Sequence, residues 1–342
     1  MLPESNMPNE FDLSLINALQ LAPRATWAEL APVLDADPTT LARRWKRLED
    51  DGLARIAAFP RRRVMARRHL SYVELSCRNG TVERVAAILA EDRDTLSIQF
   101  VAGSHQLMLT VVPGGGLADY LLNWVGGIPD VVSYRVHVVT EVPREAYLWQ
   151  VRALSPGQRR RLRALAPARR DSPGNEHVTE LDQGIVDLLC ADARLGYQTI
   201  AERLEIAPTT AARRINRLLR DGLLGLRCDI SRAHMGWPSA ATLWGTVEPE
   251  VLDSVPDLGD RVPEVRLCTT IAGPENTLFI LWLRDAPDLT RVERRLLEEL
   301  PGLRIADRRM TLRTFKFMGG VTDADQRFVR SVPVQLRSPD DR

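Results

Sequence analysis

Residues 38–53 read PTTLARRWKRLEDDGL, and residues 208–223 read PTTAARRINRLLRDGL. The two segments are identical at eleven of sixteen positions and lie 170 residues apart in a chain of 342. The likeness continues in VAGSHQLMLTVV (101–112) and IAGPENTLFILW (271–282), which keep an Ala-Gly pair in register at the same spacing. The ends of the two halves are also similar once the offset between them is changed by two residues. A period this long excludes a solenoid repeat, so the sequence indicates tandem duplication of a whole unit.

The composition is typical of a soluble globular protein, with 44% hydrophobic and 27% charged residues. The length predicts two or more domains. The net charge is only +1, so a nucleic acid would have to be bound through local basic patches. All but two of the 46 basic residues are arginine, the better bidentate ligand for phosphate and guanine. The codon usage of a GC-rich genome explains the same excess, so the placement of the arginines carries more weight than their number.

Targeting signals and cysteine pairs are not recognisable in the sequence. The four cysteines are scattered without a CxxC pair, which indicates free thiols in a reducing compartment. The N-terminal segment has neither the basic nor the apolar part of a signal peptide. The clearest apolar run, LFILWL at 278–283, is as long as a strand and too short to cross a bilayer. The sequence therefore predicts a cytoplasmic protein that has no contact with a membrane.

Each copy opens with a pattern of three short helices. Asp12 and its equivalent Asp182 are expected to cap the first helix. Thr26 and Glu29 have the spacing of a capping box for the second helix. A short turn then leads into a third helix that has Pro38 at its first position. This succession of two helices, a tight turn and a further helix is the helix-turn-helix pattern.

The third helix of each copy has an apolar face and a basic face. Apolar residues at positions i, i+4 and i+7 predict the side that docks on the other two helices, namely Leu41, Trp45 and Leu48, and again Ala211, Ile215 and Leu218. The other side carries hydroxyl groups near its N-terminus and guanidinium groups beyond them, as a helix in the major groove requires. The predicted DNA-binding residues are Thr39, Thr40, Arg43, Arg44, Arg47, Thr209, Thr210, Arg213, Arg214 and Arg217. A solvated charged face is the alternative for one helix alone. The retention of this face in both copies favours DNA. Gly52 and Gly222 are expected to end the two helices in a left-handed conformation.

Strand patterns follow each helix-turn-helix. In the first copy, alternating runs at 70–77, 96–103, 106–112 and 131–139 predict strands, and 82–92 and 117–125 have helical spacing. In the second copy the predicted strands are 240–247, 264–273, 276–283 and 308–315. The order βαββαβ is that of a ferredoxin-like domain. The predicted fold class is α+β, with two tandem copies of a winged-helix-like helix-turn-helix domain followed by a ferredoxin-like effector domain.

Five segments are expected along the chain. They are a first helix-turn-helix domain at 10–60, a first effector and oligomerisation domain at 68–150, a linker at 151–177, a second helix-turn-helix domain at 178–230 and a second effector domain at 238–320. The linker is rich in Pro, Gly and Arg and has room for one short helix.

This combination resembles the leucine-responsive (Lrp/AsnC) family of bacterial transcription regulators. ARRWKRLEDDGLARI and ARRINRLLRDGLLGL are similar to the family's recognition helix running into its first strand, and VAGSHQLMLTVV is similar to the hairpin of its effector domain. The resemblance covers nearly the whole chain, twice, whereas family members are usually of single length. It implies a regulator that binds double-stranded DNA, responds to an amino acid or another small effector, and forms a homodimer or higher homo-oligomer through its effector domains.

The hairpin of the effector domain supplies the candidate effector-binding residues. The resemblance implies Gly103, Ser104, His105, Gly273, Glu275 and Asn276. The family usually carries an Asp shortly after the glycine of this hairpin. Here Gly103 is followed by Ser-His-Gln, and Gly273 by Pro-Glu-Asn.

An enzyme of the same fold is the alternative reading. Siroheme decarboxylases resemble this two-part architecture, sometimes as fused halves, and they would need basic and histidine residues around a porphyrin. His105 is one candidate for that role, whereas the second copy has Glu275 and Asn276 there. The five histidines are isolated and lack the ligand spacing of a zinc site. The regulator reading predicts no enzymatic activity, no cofactor and no metal.

Duplication of the recognition helix has a direct explanation in DNA geometry. Dimeric helix-turn-helix proteins place two recognition helices about 34 Å apart on one face of the duplex. A fused chain supplies both helices at once and lets them diverge, as Trp45 and Ile215 or Lys46 and Asn216 have done. We therefore expect a pseudo-dimer within one chain that binds an imperfect inverted repeat.

Overall fold

The computed structural model describes residues 7–165 and 177–337. The chain forms two compact units. Of the described residues, the head unit contains 7–64, 150–165, 177–235 and 327–337, and the sheet unit contains Met65–Trp149 and Gly236–Gln326. Equivalent parts of the two copies are thus grouped together, and each unit contains one half from each copy.

The helices and strands follow one another in nearly the same order in both copies. The helices are α1 (Glu10–Leu21), α2 (Trp27–Leu34), α3 (Pro38–Asp50), α4 (Arg62–Arg67), α5 (Val82–Ala90), α6 (Leu117–Asp119, continued by a π-helical turn over Tyr120–Val125), α7 (Pro156–Leu165), α8 (Glu180–Ala191), α9 (Tyr197–Leu204), α10 (Pro208–Arg220), α11 (Leu258–Arg261) and α12 (Asp288–Glu299). The strands are β1 (Ala54–Pro60), β2 (Ser71–Cys77), β3 (Thr95–Val101), β4 (Leu107–Val111), β5 (Val131–Arg144), β6 (Leu224–Ile230), β7 (Ser239–Thr246), β8 (Val265–Ile271), β9 (Thr277–Leu283), β10 (Arg304–Phe317), β11 (Gly320–Thr322) and β12 (Phe328–Ser331). The α+β fold class predicted from the sequence is confirmed.

The first helix of each copy begins earlier than the sequence suggested. Asn9 caps α1, and Asp12 lies three residues into the capping box: the Asp12 N–H donates to Asn9 Oδ1 at 3.0 Å, and the Asn9 N–H donates to Asp12 Oδ2 at 3.1 Å. Thr179 and Asp182 form the same box at the start of α8. The prediction that Asp12 and Asp182 are the caps was therefore wrong. The capping box leaves both carboxylates buried and turned toward the third helix.

The remaining helix ends agree with the sequence. Thr26 and Glu29 form the predicted capping box of α2. Asp37 caps α3, with Pro38 at its first position. Gly52 has a φ of +65° and Gly222 a φ of +69° just beyond α3 and α10, the left-handed geometry that a side chain would strain.

A two-stranded antiparallel ribbon joins the two helix-turn-helix domains. In this ribbon Ala57 of β1 is paired with Arg227 of β6, and these two positions are equivalent at the offset of 170. All other pairs are arranged symmetrically around this one, from Ala54 with Ile230 to Pro60 with Leu224. An interface that repeats the same contacts in both directions is isologous, as in a two-fold dimer. The head unit is therefore a pseudo-dimer with its axis through the centre of the ribbon.

Two equivalent arginines extend this reciprocal interface. Arg24 donates to the carbonyl groups of the residues on either side of Arg194, 193 and 195, at 2.5 and 3.0 Å. Arg194 donates in turn to the carbonyl groups on either side of Arg24, 23 and 25, both at 2.8 Å. The Arg24 guanidinium lies 5.0 Å from the ring centre of Tyr197, and that of Arg194 lies 4.0 Å from the ring centre of Trp27. Each domain thus satisfies backbone acceptors of the other through a cationic group packed on an aromatic ring.

The segment expected as a linker at 151–177 is in part a structural element of the head unit. Its residues 156–165 form α7, which packs on α1 and α2 with Leu162 fully buried. This is the short helix for which the sequence left room, and its buried leucine attaches this part of the segment to the first domain. Residues 166–176 lie outside the described part of the chain.

The last described residues contact both helix-turn-helix domains. The Phe328 N–H donates to the carbonyl of Gly52, just after α3, at 2.8 Å. Farther along, the Leu336 N–H donates to Gln183 Oε1 on α8 at 2.8 Å. The C-terminal segment therefore ties the first domain to the second.

The sheet unit consists of two ferredoxin-like domains joined edge to edge. The first has the strand order β3-β4-β2-β5, and the second has the equivalent order β8-β9-β7-β10. β5 pairs with β8, and β10 pairs with β3, so the two sheets close on each other. The Ala102 N–H donates to the Met310 carbonyl and the Ala272 N–H to the Val138 carbonyl, both at 2.9 Å. These two bonds are equivalent at offsets of 170 and 172, which is the two-residue slip seen in the sequence.

Each sheet is covered by helices on one face. Its opposite face packs against the other sheet. Val85 and Leu89 of α5 pack on the first sheet, and Val292 and Leu296 of α12 on the second. A smaller cluster joins both domains and consists of Tyr72, Val101, Met108, Trp244, Ile271 and Leu278. Across the described residues we find no helix long and apolar enough to span a membrane.

Replacement of Arg24 and Arg194 by alanine tests the reciprocal contact. We expect each single variant to lower the free energy of unfolding by about 2 kcal/mol, because each loses two hydrogen bonds to carbonyl groups and a cation–π contact. Chemical denaturation of the full chain would measure the effect. The exposed Arg203 of α9 supplies the control, as Arg203→Ala should change the midpoint little. Equal midpoints for Arg24→Ala, Arg194→Ala and Arg203→Ala would contradict a stabilising role for the pair.

Candidate nucleic-acid interface

The third helix of each domain docks through the face that the sequence predicted. The side chains of Leu41, Trp45 and Leu48 on α3 are buried, as are those of Ala211, Ile215 and Leu218 on α10. Thr39 and Arg43 are exposed near the start of α3, and their equivalents Thr209 and Arg213 are exposed on α10. Thr40 and Thr210 are half-buried. A hydroxyl group and a guanidinium group therefore face outward in each copy.

The other predicted arginines of α3 bind a carboxylate within the domain. Asp12 is fully buried, and Arg44 and Arg47 reach its two oxygens at 3.0 and 2.6 Å. The Arg44 guanidinium also lies 4.9 Å from the ring centre of Phe11. Arg47 keeps 44% of its side chain exposed, so the part of it that does not contact Asp12 still faces solvent.

The second copy repeats this arrangement on α10. Arg214 and Arg217 reach the two oxygens of the buried Asp182 at 3.1 and 2.7 Å. Arg214 also donates to Thr179 Oγ1, and Arg217 to the carbonyl of His177, both at 3.1 Å. The sequence contains a signal for this contact, since Asp12 and Asp182 are equivalent at an offset of 170, although an Asp at this position also fits a helix cap.

Two opposing effects act on the pKa of Asp182, burial on one side and hydrogen bonds with nearby charges on the other. Burial alone would raise the pKa of this carboxyl group. The N–H and hydroxyl groups of Thr179, together with Arg214 and Arg217, outweigh that effect and hold the pKa below its ordinary value. Asp182 therefore stays ionised at neutral pH and keeps both arginines in place on the recognition helix.

The two recognition helices differ in charge and in capping. Four basic and two acidic residues give α3 a charge of +2, whereas four arginines and no acidic residue give α10 a charge of +4. Lys46 on α3 is paired with Asp50 at 2.9 Å, and the equivalent of Lys46 is the exposed Asn216. The Thr39 hydroxyl donates to the cap Asp37 at 2.5 Å, but Ala207 stands at the equivalent cap position, so Thr209 has no such acceptor.

One acidic group at the end of α3 has an altered pKa. Burial, followed by the nearby charge of Asp192, raises the pKa of Glu49 to about 7. Its equivalent in α10 is Leu219. The charge at the end of the first recognition helix is therefore sensitive to pH near neutrality. The second helix has no ionisable group at this position.

The candidate effector residues lie in the β3–β4 and β8–β9 hairpins, mostly in contact with other parts of the protein. Gly103 and Gly273 have φ values of +147° and +153°, which only glycine adopts easily. Both the Oδ1 and Nδ2 atoms of Asn276 bind the backbone of Val247, at 3.0 and 2.7 Å, which is a structural role. Glu275 is paired with Arg135 at 3.0 Å.

The first hairpin borders a buried polar cluster that the sequence did not predict. Glu74 on β2 is almost fully buried, lies 2.6 Å from His137 Nε2 and 3.5 Å from His105 Nδ1, and also contacts Arg309 of the second domain. Ser104 Oγ lies 3.3 Å from the same His105 nitrogen. Burial opposes ionisation, but His137 and the Arg309 charge lower the pKa of Glu74 below its ordinary value. The position equivalent to Glu74 is Trp244, so the second copy does not repeat this carboxylate.

A metal centre is not evident in the described part of the chain. Residues 7–165 and 177–337 contain no group of three or more His, Cys, Asp or Glu side chains placed to bind a metal ion.

The helix-turn-helix segments match a known family. The AsnC-type helix-turn-helix domain matches residues 9–49 and again residues 178–219. These ranges contain α1–α3 and α8–α10 almost in full. The chain therefore carries two helix-turn-helix domains of the AsnC type, one in each copy. The resemblance found in the sequence is confirmed, and with it the DNA-binding character of a transcriptional regulator.

Curated proteins similar to this chain are described as HTH-type transcriptional regulators. An uncharacterised HTH-type transcriptional regulator of Pyrococcus abyssi is 26% identical over 128 residues, which are 37% of this chain and 81% of that protein. The HTH-type transcriptional regulator LrpA of Pyrococcus horikoshii is 28% identical over 117 residues, 34% of this chain and 82% of that protein. Each relative is therefore about as long as one copy of the repeat.

An enzyme shares the double-length fold. The crystal structure of the siroheme decarboxylase NirDL superposes with a TM-score of 0.57 and 16% identity, covering 91% of this chain and 93% of NirDL. At this identity the likeness shows the fold alone. It establishes that the same tandem architecture occurs in a protein that is not described as a regulator.

Removal of the Asp182 charge tests its role under the recognition helix. We expect Asp182→Asn to lower the free energy of unfolding by about 3 kcal/mol at pH 7, because two arginines lose a buried partner. The folded pKa is below the unfolded value of about 3.9, so this contribution is complete above that value and is lost as the pH falls through the folded pKa.

Denaturation of wild type and variant between pH 7 and pH 3 would measure this contribution. The difference between them should be constant down to about pH 5 and shrink below about pH 4. Glu202→Gln, an exposed change on α9, is the control. A difference that grows as the pH falls would contradict the assignment.

Proposed function

We propose that this chain binds an imperfect inverted repeat in double-stranded DNA and regulates transcription there, with one recognition helix on each half-site. The observation that supports this proposal is the pair of equivalent outward surfaces, Thr39 with Arg43 and Thr209 with Arg213, related by the pseudo-two-fold axis of the head unit. Hydroxyl and guanidinium groups at the N-terminal end of a helix suit base edges in the major groove.

The ten predicted DNA-binding residues divide into two roles under this proposal. Thr39, Arg43, Thr209 and Arg213 are proposed to contact bases, because their side chains are exposed near the helix start. Arg44, Arg47, Arg214 and Arg217 are proposed to fix the helix through Asp12 and Asp182 and to offer their remaining N–H groups to phosphates. The half-buried Thr40 and Thr210 are proposed to border the contact.

The two half-sites should differ in sequence and in contribution to affinity. The α10 helix carries two more positive charges than α3 and an uncapped start, so we propose that the second domain contributes more of the salt-dependent affinity. Lys46 on α3 and its equivalent Asn216 on α10 differ in chemistry, so we propose that the two half-sites differ in base preference at the corresponding position.

Association and effector binding are proposed at the sheet unit. The first effector domain exposes the apolar side chains of Leu122, Trp124, Val132 and Tyr134, which would be covered when two chains associate as a homodimer or larger homo-oligomer. An amino acid or other small effector is proposed near Gly103, Ser104 and His105, beside the Glu74 cluster. Gly273, Glu275 and Asn276 are proposed to have a smaller part, since both side chains have structural partners. We propose that the protein is not an enzyme, and cytoplasmic location stays a prediction.

Selection from a random pool of double-stranded DNA tests the proposed function. We expect a two-part consensus whose affinity falls with salt with a slope of several phosphates. Arg43→Ala combined with Arg213→Ala should abolish the sequence preference, and each single variant should relax only one half-site by about 1–3 kcal/mol. Arg294→Ala on α12, an exposed arginine of the sheet unit, is the control and should leave the preference unchanged.

Two outcomes would contradict the proposal. A consensus with a single half-site would exclude binding by two recognition helices at once. Failure to enrich any DNA sequence, both with and without amino acids, would favour the siroheme decarboxylase alternative. Titration with siroheme would then decide, since an absorbance band at about 400 nm reports a bound tetrapyrrole whose environment the protein tunes.

A further inference from the structure

The helix α7 has the features of a built element of the first helix-turn-helix domain. Ser155 and Gln158 form a capping box at its start: the Gln158 N–H donates to Ser155 Oγ at 3.3 Å, and the Ser155 N–H donates to Gln158 Oε1 at 3.0 Å. Leu162 is fully buried against the domain. A helix that is both capped and anchored holds its remaining side chains in fixed positions.

Two side chains attach α7 to the end of the helix that precedes the recognition helix. Gln158 Nε2 donates to the carbonyl of Val33 at 2.9 Å, and the Arg161 guanidinium donates to the carbonyl of Pro32. Both carbonyl groups belong to the last turn of α2, where acceptors lack partners within the helix. A cation at this end also interacts favourably with the helix dipole. The basic helix is thus fixed at one defined point of the domain.

This point lies close to the end of α3 that would enter the major groove. Val33 precedes the cap residue Asp37 by four residues, so the two are at most about 14 Å apart along the chain. The major groove is about 12 Å wide and is bordered by phosphates on both sides. A basic surface held beside the last turn of α2 is therefore within the range at which a phosphate backbone flanks the recognition helix.

The outer side of α7 is strongly basic. Its sequence PGQRRRLRAL contains four arginines and no acidic residue. Arg160 and Arg163 are exposed and three residues apart, so they share one face of the helix. Within the described residues neither forms an ion pair, unlike Arg44 and Arg47 on the recognition helix. These two guanidinium groups are available to a polyanion.

The second domain has no equivalent helix in the described part of the chain. After the second effector domain, residues 332–337 form no helix and contact α8, where Gln183 Oε1 accepts from the N–H groups of Leu336 and Arg337 at 2.8 and 2.9 Å. The basic helix is therefore a feature of the first domain, whose recognition helix has the smaller positive charge.

We propose that α7 is a phosphate-binding arm of the first helix-turn-helix domain, in which Arg160 and Arg163 contact the DNA backbone beside the first half-site. This inference rests on the proposed DNA-binding function. The arm contributes affinity without sequence information, because phosphate contacts position a protein and base contacts specify the site. The number of phosphates contacted therefore differs between the two ends of the bound DNA, because α7 contacts additional phosphates beyond the first half-site.

The test is the salt dependence of operator binding by the full chain carrying Arg160→Ala and Arg163→Ala. The slope of log K against log salt should become less steep by about 0.9 for each lost contact, and affinity near 0.1 M salt should fall about tenfold or more. The selected consensus should stay the same. Phosphate-ethylation interference should lose signals beyond one half-site only.

A matched variant excludes a general effect of charge. Arg78→Ala combined with Arg294→Ala removes two exposed arginines from the sheet unit and should leave the slope unchanged. Equal slopes for wild type and the α7 variant, with specific binding intact, would overturn the arm and leave the proposed function in place. Absence of any specific binding by the wild type would overturn both.

Discussion

The buried carboxylate of Asp229 fixes the relation between the two helix-turn-helix domains. It lies in the ribbon between β1 and β6, 2.5 Å from Arg227 on its own strand and 3.4 Å from Arg55 on the facing strand. Removal of one partner from such a group leaves a buried charge, so a shift of register by one residue is costly. Since the ribbon is continuous with α3 and α10, this register sets the positions of both recognition helices. The reciprocal contacts of Arg24 and Arg194 depend on the same arrangement.

Fusion of the two copies allows differences that an identical dimer cannot have. The core contacts are kept in pairs, such as Asp12 with Asp182 and the two arginines that each of them binds. The surfaces have diverged: a less basic α3 lies in the domain that holds the arginine-rich α7, whereas the more basic α10 has no such helix among the described residues. Inside the sheet unit Glu74 pairs with His137, and the second copy has Trp244 at the position equivalent to Glu74. Conserved contacts hold the pseudo-symmetry, and the divergent positions are free to specialise.

The sequence predicted the elements better than their tertiary contacts. Periodicity and the internal repeat were sufficient for the α+β class, the strands and the apolar face of α3, since these depend on local patterns. The sequence pattern does not give the exact residue at which α1 begins, so an Asp at the cap position cannot be distinguished from an Asp three residues later in a capping box. The pairing of Arg47 with Asp12, 35 residues away, and the anchoring of α7 depend on tertiary packing that no local pattern encodes. The equal spacing of Asp12 and Asp182 was the available signal for the buried ion pairs.

The ribbon and the reciprocal arginine contacts make the two recognition helices one rigid unit with a fixed separation. This rigidity can be measured as operator affinity after insertion of 5 or 10 base pairs between the half-sites, since a helical turn of DNA is about 10.5 base pairs. A rigid pair predicts that both insertions reduce affinity to that of a single half-site. Recovery of full affinity with 10 base pairs, or equal affinity for all three spacings, would show that the domains bind independently and would contradict the account.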